Sequence, residues 1–232
     1  MRFPENRFKR ALADRRQQLG LWCSLPSAFA AEIVAPAGFD WLLFDTEHAP
    51  SSIPTVLSQL QAVAPYEVSP AVRAATNDTV LIKRLLDIGA QTLFLPYVQA
   101  AEEAQRAVLA MRYPPDGVRG VSGLTRATRF GRVEGYFRRA SEELCLVVQV
   151  ETQAALDELE AIAGVDGVDG VFIGPADLAA SLGYPGEPNH PVVQSVILRS
   201  ATMHTLWGCL DSHQQPSISD RAIVQCATMH TV

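Results

Sequence analysis

Phe39-Asp-Trp-Leu-Leu-Phe-Asp-Thr-Glu-His-Ala-Pro50 is the stretch on which the reading of this chain turns. An apolar run of strand length, Trp41 to Phe44, breaks off in Asp45, Glu47 and His48. In a parallel α/β protein, ionisable side chains just past the carboxyl end of a strand stand where ligands bind. Two later runs end in the same way, Leu146-Val-Val-Gln-Val-Glu151 and Val171-Phe-Ile-Gly-Pro-Ala-Asp177. Three strand ends that carry acids or bases are the layout of a site on one rim of a barrel.

Outward from that stretch, apolar and β-branched runs recur at Leu19 to Leu25, Pro70 to Arg73, Thr92 to Val98, Leu144 to Val150 and Gly170 to Ile173. Helical patterns begin near Ser27, Ser52, Asn77, Ala101 and Gln153. Asn77-Asp-Thr stands before Val80 to Ile88 as a cap stands before an amphipathic helix, and Gly89 stops it. His48, Arg73 and Val98 are equally spaced, and Glu151 to Asp177 is one position longer. Alternation at that spacing predicts parallel β/α units and an α/β fold, a (β/α)8 TIM-type barrel.

The gap from Val98 to Glu151 is about twice as long and holds Tyr113-Pro-Pro-Asp-Gly-Val-Arg-Gly-Val-Ser-Gly123. It reads as a long loop near the site followed by an extra helix, Glu134 to Glu143. Six units are visible by Asp177, whereas an eight-stranded barrel takes about 250 residues. After Val192 to Leu198, which opens a helix, the chain turns polar and aperiodic, and Ala222 to Ala227 has the make-up of one short strand. The expectation is a barrel domain over 1–195, with the last two β/α units missing or replaced, and an atypical, disordered or poorly packed tail over 196–232. Ala-Thr-Met-His-Thr occurs at 201–205 and again at 227–231, a repeat without a physical account.

Hydrophobic residues make up 48% of the 232, enough for one large core, and no shift in composition divides the chain. A net charge of −6 without a basic stripe makes nucleic acid and anionic membrane poor partners. No apolar run reaches the roughly 18 residues of a membrane span, and the N-terminus lacks the apolar core of a signal peptide. A cytoplasmic protein is expected. Cys23, Cys145, Cys209 and Cys226 form no C-x-x-C pair, so neither a disulfide nor a zinc site is expected.

Glu151 and Asp177 end consecutive strands, which lie about 4.8 Å apart in a sheet, so their carboxylates share one space. Facing carboxylates repel and call for a proton or a cation, and oxygen ligands suit Mg²⁺ or Mn²⁺. Each alone would pass for a helix-terminal acid. Gln149 and the tight Gly174-Pro175-Ala176 turn beside them favour a metal site. His48, three residues after Asp45, suits a general base. Arg73, at the end of the third strand, suits a clamp on a carboxylate or enolate, or else a surface ion pair. The chain has two lysines, Lys9 and Lys83, neither at a strand end, which speaks against Schiff-base chemistry. Gly117, Gly120 and Gly123 do not open a helix after a strand, so no nucleotide is implied.

At these residues the chain resembles the metal-dependent pyruvate aldolases of the 4-hydroxy-2-oxoheptanedioate aldolase family, which takes in 2-dehydro-3-deoxyglucarate aldolases and, more distantly, the citrate lyase β subunit. Gly20-Leu-Trp22, Gly38 to Pro50, Tyr113-Pro-Pro-Asp-Gly-Val-Arg-Gly120, Val148-Gln-Val-Glu-Thr152 and Gly167 to Leu178 carry the likeness, which runs from about Asn6 to Ser195. The resemblance implies a (β/α)8 barrel, a hexamer, and a need for Mg²⁺, Mn²⁺ or Co²⁺. It implies His48 as proton acceptor, Asp87 as the residue that raises its basicity, Arg73 as transition-state stabiliser, and Asp45 beside them. Glu151 and Asp177 would hold the metal, and Gln149, Gly174, Pro175, Ala176 and Trp22 would contact the substrate. Family members continue past Gln194 with two further β/α units, which residues 196–232 do not resemble.

The expected function is cleavage or formation of 4-hydroxy-2-oxo acids, with pyruvate as the enolate-forming partner and an aldehyde as the other. An acyl-coenzyme A ester lyase of the citrate lyase type is the alternative, and a catalytically impaired, truncated barrel the third reading.

Overall fold

The computed structural model describes residues 1–206 and 222–224. Among the described residues seven parallel strands follow one another in sequence order, β1 to β7, each paired with the next. They are β1 Gly20–Cys23, β2 Trp41–Asp45, β3 Ser69–Arg73, β4 Thr92–Leu95, β5 Cys145–Val150, β6 Gly170–Ile173 and β7 Ala222–Val224. Between them lie α2 Ala28–Val34, α3 Ile53–Ala62, α4 Thr79–Asp87 and α5 Ala101–Met111. The later connections hold α6 Tyr136–Arg139, α7 Gln153–Asp157, α8 Leu159–Gly164, α9 Pro175–Ser181 and α10 Pro191–Leu206. The α/β alternation and parallel sheet match expectation, in a form compatible with a TIM-type barrel.

Local chemistry explains the helix starts. Ser27, Ser52, Asp78 and Thr152 each stand in extended backbone and accept from the N–H three residues on, capping α2, α3, α4 and α7. Asp78, one residue beyond the expected Asn77, is the cap of α4, while Asn77 Nδ2 donates to Glu103 O.

Because side chains alternate across a strand, each strand feeds two cores. Leu42, Phe44, Val72, Leu93, Leu95, Leu146, Val148 and Val171 pack outward against the helices. Trp41, Leu43, Ala71, Phe94, Cys145, Val147 and Phe172 form the inner layer. Helix α1, Arg7–Ala13, inserts Phe8 and Leu12 into that inner layer, with the Phe8 ring 5.9 Å from Trp41. Gly20 is required here, since a Cβ would fall 1.9 Å from the Trp41 indole.

Two expectations are corrected. The segment between α5 and β5 joins a helix to the following strand, so it lies at the amino ends of the strands, opposite the rim of Asp45. There Tyr113, Ala127, Val133 and Tyr136 pack with Phe3. Its helical part is shorter than Glu134–Glu143, comprising α6 and a 3₁₀ turn over Ala140–Glu143. The helix expected from Val192 and the short strand expected from Ala222 are both present: α10 buries Val193 and Ile197 against Ile173 and Leu178, and β7, Ala222–Val224, pairs in register with β6, Gly170 opposite Ala222. Cys23 and Cys145 are free thiols, pushed up by burial, Cys23 to about 11. Cys209, Cys226 and the second Ala-Thr-Met-His-Thr lie outside the described residues. No helix among those described is long and apolar enough to cross a membrane.

Candidate active site

The period of two that sends Leu42 and Phe44 outward sends Asp45 inward, and the same alternation turns Arg73, Gln149 and Glu151 to the interior. Register completes the arrangement, because Asp45 stands opposite Arg73. Arg73 donates from Nε to Asp45 Oδ1 at 2.8 Å and from Nη2 to Oδ2 at 2.6 Å, a two-point fork. The guanidinium lies 4.6 Å from the Trp22 ring centre, and Trp22 Nε1 donates to Asp45 Oδ2 at 3.3 Å. Trp22 itself rests on Phe94 and Phe172, the top of the inner core.

Asp45 is 2% exposed. Burial alone would push its carboxyl up, but the bonds and charge of Arg73 outweigh burial and hold it below the usual carboxylate range. The N–H groups of Glu47 and His48 also donate to Asp45 Oδ1, at 2.9 and 3.4 Å, so Asp45 sets the path of the chain that carries the histidine. Glu47 Oε2 lies 3.0 Å from Arg73 Nη1, a close ion pair without the alignment of a hydrogen bond. Its Oε1 lies 3.9 Å from His48 Nε2. The His48 ring is two-thirds exposed at the rim.

Across the rim, Glu151 follows β5 and is buried. Gln149 Nε2 donates to its Oε1 at 2.5 Å and Tyr97 N to its Oε2 at 3.1 Å. Tyr97 has φ 55, a left-handed conformation costly for a bulky residue, and in it the N–H faces Glu151. Burial, with repulsion from Asp177 and Glu47, pushes the Glu151 carboxyl up against those two hydrogen bonds. Burial likewise pushes Glu47 up, Asp45 and Asp177 adding to it while Arg73 and His48 oppose. Asp177, in the first turn of α9, is exposed. Three acids therefore face one another across the rim.

This donor set fits a hard divalent cation. Glu151 and Asp177 would supply carboxylate oxygens, and Gln149 Oε1 is a buried acceptor with no partner. Gly174 leaves the needed room, since a Cβ there would fall 2.5 Å from Glu151 Oε1. Among the described residues no group of three or more His, Cys, Asp or Glu side chains is placed to hold a metal ion.

Sequence comparison is decisive at this point: the profile of HpcH/HpaI aldolase/citrate lyase matches residues 18–211. The chain belongs to that family. A pyruvate aldolase of Rhizobium etli is 68% identical over 197 residues, 85% of this chain and 78% of the relative. A 4-hydroxy-2-oxo-heptane-1,7-dioate aldolase of Escherichia coli is 56% identical over 194 residues, 83% of this chain and 74% of the relative. The crystal structure of an HpcH/HpaI aldolase/citrate lyase family protein from Burkholderia cenocepacia superposes with a TM-score of 0.85 at 40% identity, covering 95% of this chain and 84% of that one.

Of the residues singled out for this HpcH/HpaI aldolase, Asp45, Arg73, His48, Trp22, Gln149, Glu151, Gly174, Pro175, Ala176 and Asp177 come to the one rim. Asp87 does not. It ends α4, at the other end of the sheet, and accepts from Arg119 Nη2 at 2.8 Å. A helix that leads into a strand ends where the strand begins, so within this chain Asp87 cannot serve His48. Two rim residues went unassigned in the sequence: Tyr97, whose part is played by backbone conformation, and Glu47, visible only as one more acid in a polar strand end. Lys9 donates to Leu144 O at 2.5 Å, at the amino end of β5 and away from the rim.

Proposed function

We propose that this chain is a divalent-metal-dependent pyruvate aldolase acting on 4-hydroxy-2-oxo acids, with Glu151 and Asp177 holding the metal and His48 as the base. The observation that carries the reading is the convergence, on one rim, of a like-charged carboxylate set and a histidine beside an arginine fork. Aldolases at 56–68% identity support it. A cation held there, Mg²⁺, Mn²⁺ or Co²⁺, would draw charge from the substrate's carboxylate and keto oxygens and favour the enolate.

The chain's own residues do the rest. During cleavage the 4-hydroxyl proton passes to His48, and the C3–C4 electron pair passes to the pyruvate half. Arg73 has five N–H donors. Asp45 accepts from two, Glu47 pairs with Nη1 as a charge alone, and the others remain for the developing enolate oxygen. Gln149 Oε1 and the backbone at Ala176 orient substrate, and Trp22 holds Asp45 and Arg73 in register. The catalytic domain covers 1–195 and is continued by α10 and β7, and the homo-oligomer and cytoplasmic setting belong to the same proposal. Any help Asp87 gives to His48 would come from another copy in that oligomer.

The test is the purified protein with Mn²⁺, pyruvate and a panel of aldehydes, followed by product analysis, together with exchange of the pyruvate methyl hydrogens into deuterium oxide. Aldol products with exchange are expected. Cleavage of an acyl-coenzyme A ester in place of free 4-hydroxy-2-oxo acids would move the chain to the citrate lyase branch. Neither exchange nor product would mark an impaired barrel.

A further inference from the structure

We propose that Glu47 is the positioning residue for His48: one carboxylate oxygen is pinned by Arg73, while the other holds the imidazole over the cleft and faces its positive charge when it takes the substrate's proton. The inference rests on the aldolase reading above.

The geometry supplies the argument. Glu47 is anchored at both ends, its N–H on Asp45 Oδ1 at 2.9 Å and its Oε2 at 3.0 Å from Arg73 Nη1. Its side chain is 19% exposed against 67% for His48. An exposed imidazole samples rotamers within nanoseconds, and a base is effective only when held in line with its proton. Beside the backbone bond of His48 N to Asp45, the ring's ionic neighbour among the described residues is Glu47, whose Oε1 stands 3.9 Å from Nε2. That distance exceeds a hydrogen bond, so the resting contact is electrostatic, and it tightens into a charge-assisted bond once Nε2 carries the proton. The other charges facing this space are Asp45 of β2, Arg73 of β3, Glu151 after β5 and Asp177 of α9. Arg73 is committed to Asp45, and Glu151 to Gln149 and Tyr97. Within this chain Asp87 lies at the other end of the sheet.

The step balances without a second acid. The 4-hydroxyl proton moves to His48 Nε2, the O–H electron pair becomes the second bond of the aldehyde carbonyl, and the C3–C4 pair becomes the enolate of pyruvate. Glu47 takes no proton. Its charge faces the imidazolium that persists until the enolate is protonated.

Glu47→Gln, Glu47→Asp and wild type are to be compared by steady-state cleavage of a 4-hydroxy-2-oxo acid with Mn²⁺, by Mn²⁺ calorimetry, by melting temperature, and by nitrogen NMR of the histidine rings in metal-free protein, with His48 assigned through His48→Asn. The proposal expects kcat of Glu47→Gln to fall about a hundredfold, toward the lower end of what acid–base catalysis contributes, with KM and Mn²⁺ affinity unchanged. Glu47→Asp should recover part of the loss, and the His48 ring signals alone should move in Glu47→Gln. An unchanged kcat, a loss that follows Mn²⁺ affinity, or unmoved His48 signals would overturn it. A wild type without turnover on any such acid would sink the aldolase reading instead, and the nitrogen spectra would still decide the contact.

Discussion

Arg73 and Arg119 are both buried, both paired with an aspartate and both laid over an aromatic ring, yet they stand at opposite ends of the sheet. Arg73 forks onto Asp45 above Trp22, and Arg119 bonds Asp87 beside Tyr113, 4.4 Å from its ring centre. At the carboxyl end every guanidinium nitrogen is engaged, and the neighbouring acids Glu47, Glu151 and Asp177 face an open rim. At the amino end Arg119 is fully buried, with Nε and Nη1 unpartnered, sealed by Tyr113 and the α5–β5 segment. The lesson is that a buried arginine–aspartate pair does not by itself mark a site within one chain. Its place on the sheet, and the like charges left facing one another beside it, do.

The comparison is broken most directly by removing each arginine. Arg73→Ala leaves Asp45 charged and buried, and Arg119→Ala strips Asp87 of its partner, so each should cost about 3–5 kcal/mol in stability. Only Arg73→Ala should also abolish turnover in the fraction that stays folded. Denaturant melts with activity normalised to folded protein decide it, and equal specific activities would erase the distinction drawn here.

Glu151→Gln isolates the like-charge set. The amide donates less electron density to a cation, so Mn²⁺ affinity should fall by at least about a hundredfold and turnover with it, while the fold persists. Calorimetry checks this, and equal affinity in variant and wild type would remove the metal site.

How much of this could be read beforehand follows the range of the interactions. The caps at Ser27, Ser52 and Thr152 act across three residues, and the inward turn of Asp45, Arg73, Gln149 and Glu151 follows from alternation, so both were legible in the sequence. The surroundings of Asp87 were illegible because its partner Arg119 is distant in sequence, and within one chain His48 lies at the far end of the sheet. The position of the Tyr113 loop was available in principle, since a segment leading from helix to strand can only lie at the strand's amino end. Tyr97 gave no signal, because a backbone N–H facing Glu151 from a left-handed conformation has no side-chain signature.

A smaller perturbation sharpens the rim further. Gly174 has φ −81, which any residue adopts, so Gly174→Ala acts through space alone. Its methyl would meet Glu151 Oε1 at 2.5 Å and displace the carboxylate. Mn²⁺ affinity should drop roughly tenfold to a hundredfold, with a stability cost of about 1–3 kcal/mol from overpacking. An affinity like that of wild type would show that Glu151 has slack.

The smallest expected effect is on pH dependence, and the two sides of the rim should move in opposite directions. Glu151, raised by burial and by Asp177, stays protonated in the folded chain after an unfolded glutamate has ionised at about pH 4.3. The unfolded state then binds fewer protons, so from that pH up to the raised folded value metal-free stability falls as pH rises. Asp45, lowered because Arg73 outweighs burial, contributes stability that is complete above an unfolded aspartate's pH of about 3.9 and is lost only as pH falls through its lower folded value. Metal-free protein should thus melt highest in mild acid and lower toward neutrality. Added Mn²⁺ binds the ionised pair, so its stabilisation should grow across the same window and offset the fall. Melting temperatures with chelator and with Mn²⁺, in wild type and Glu151→Gln, test the sign. A chelated wild type whose stability climbs through that window in step with the variant would show that Glu151 is not held protonated by its surroundings.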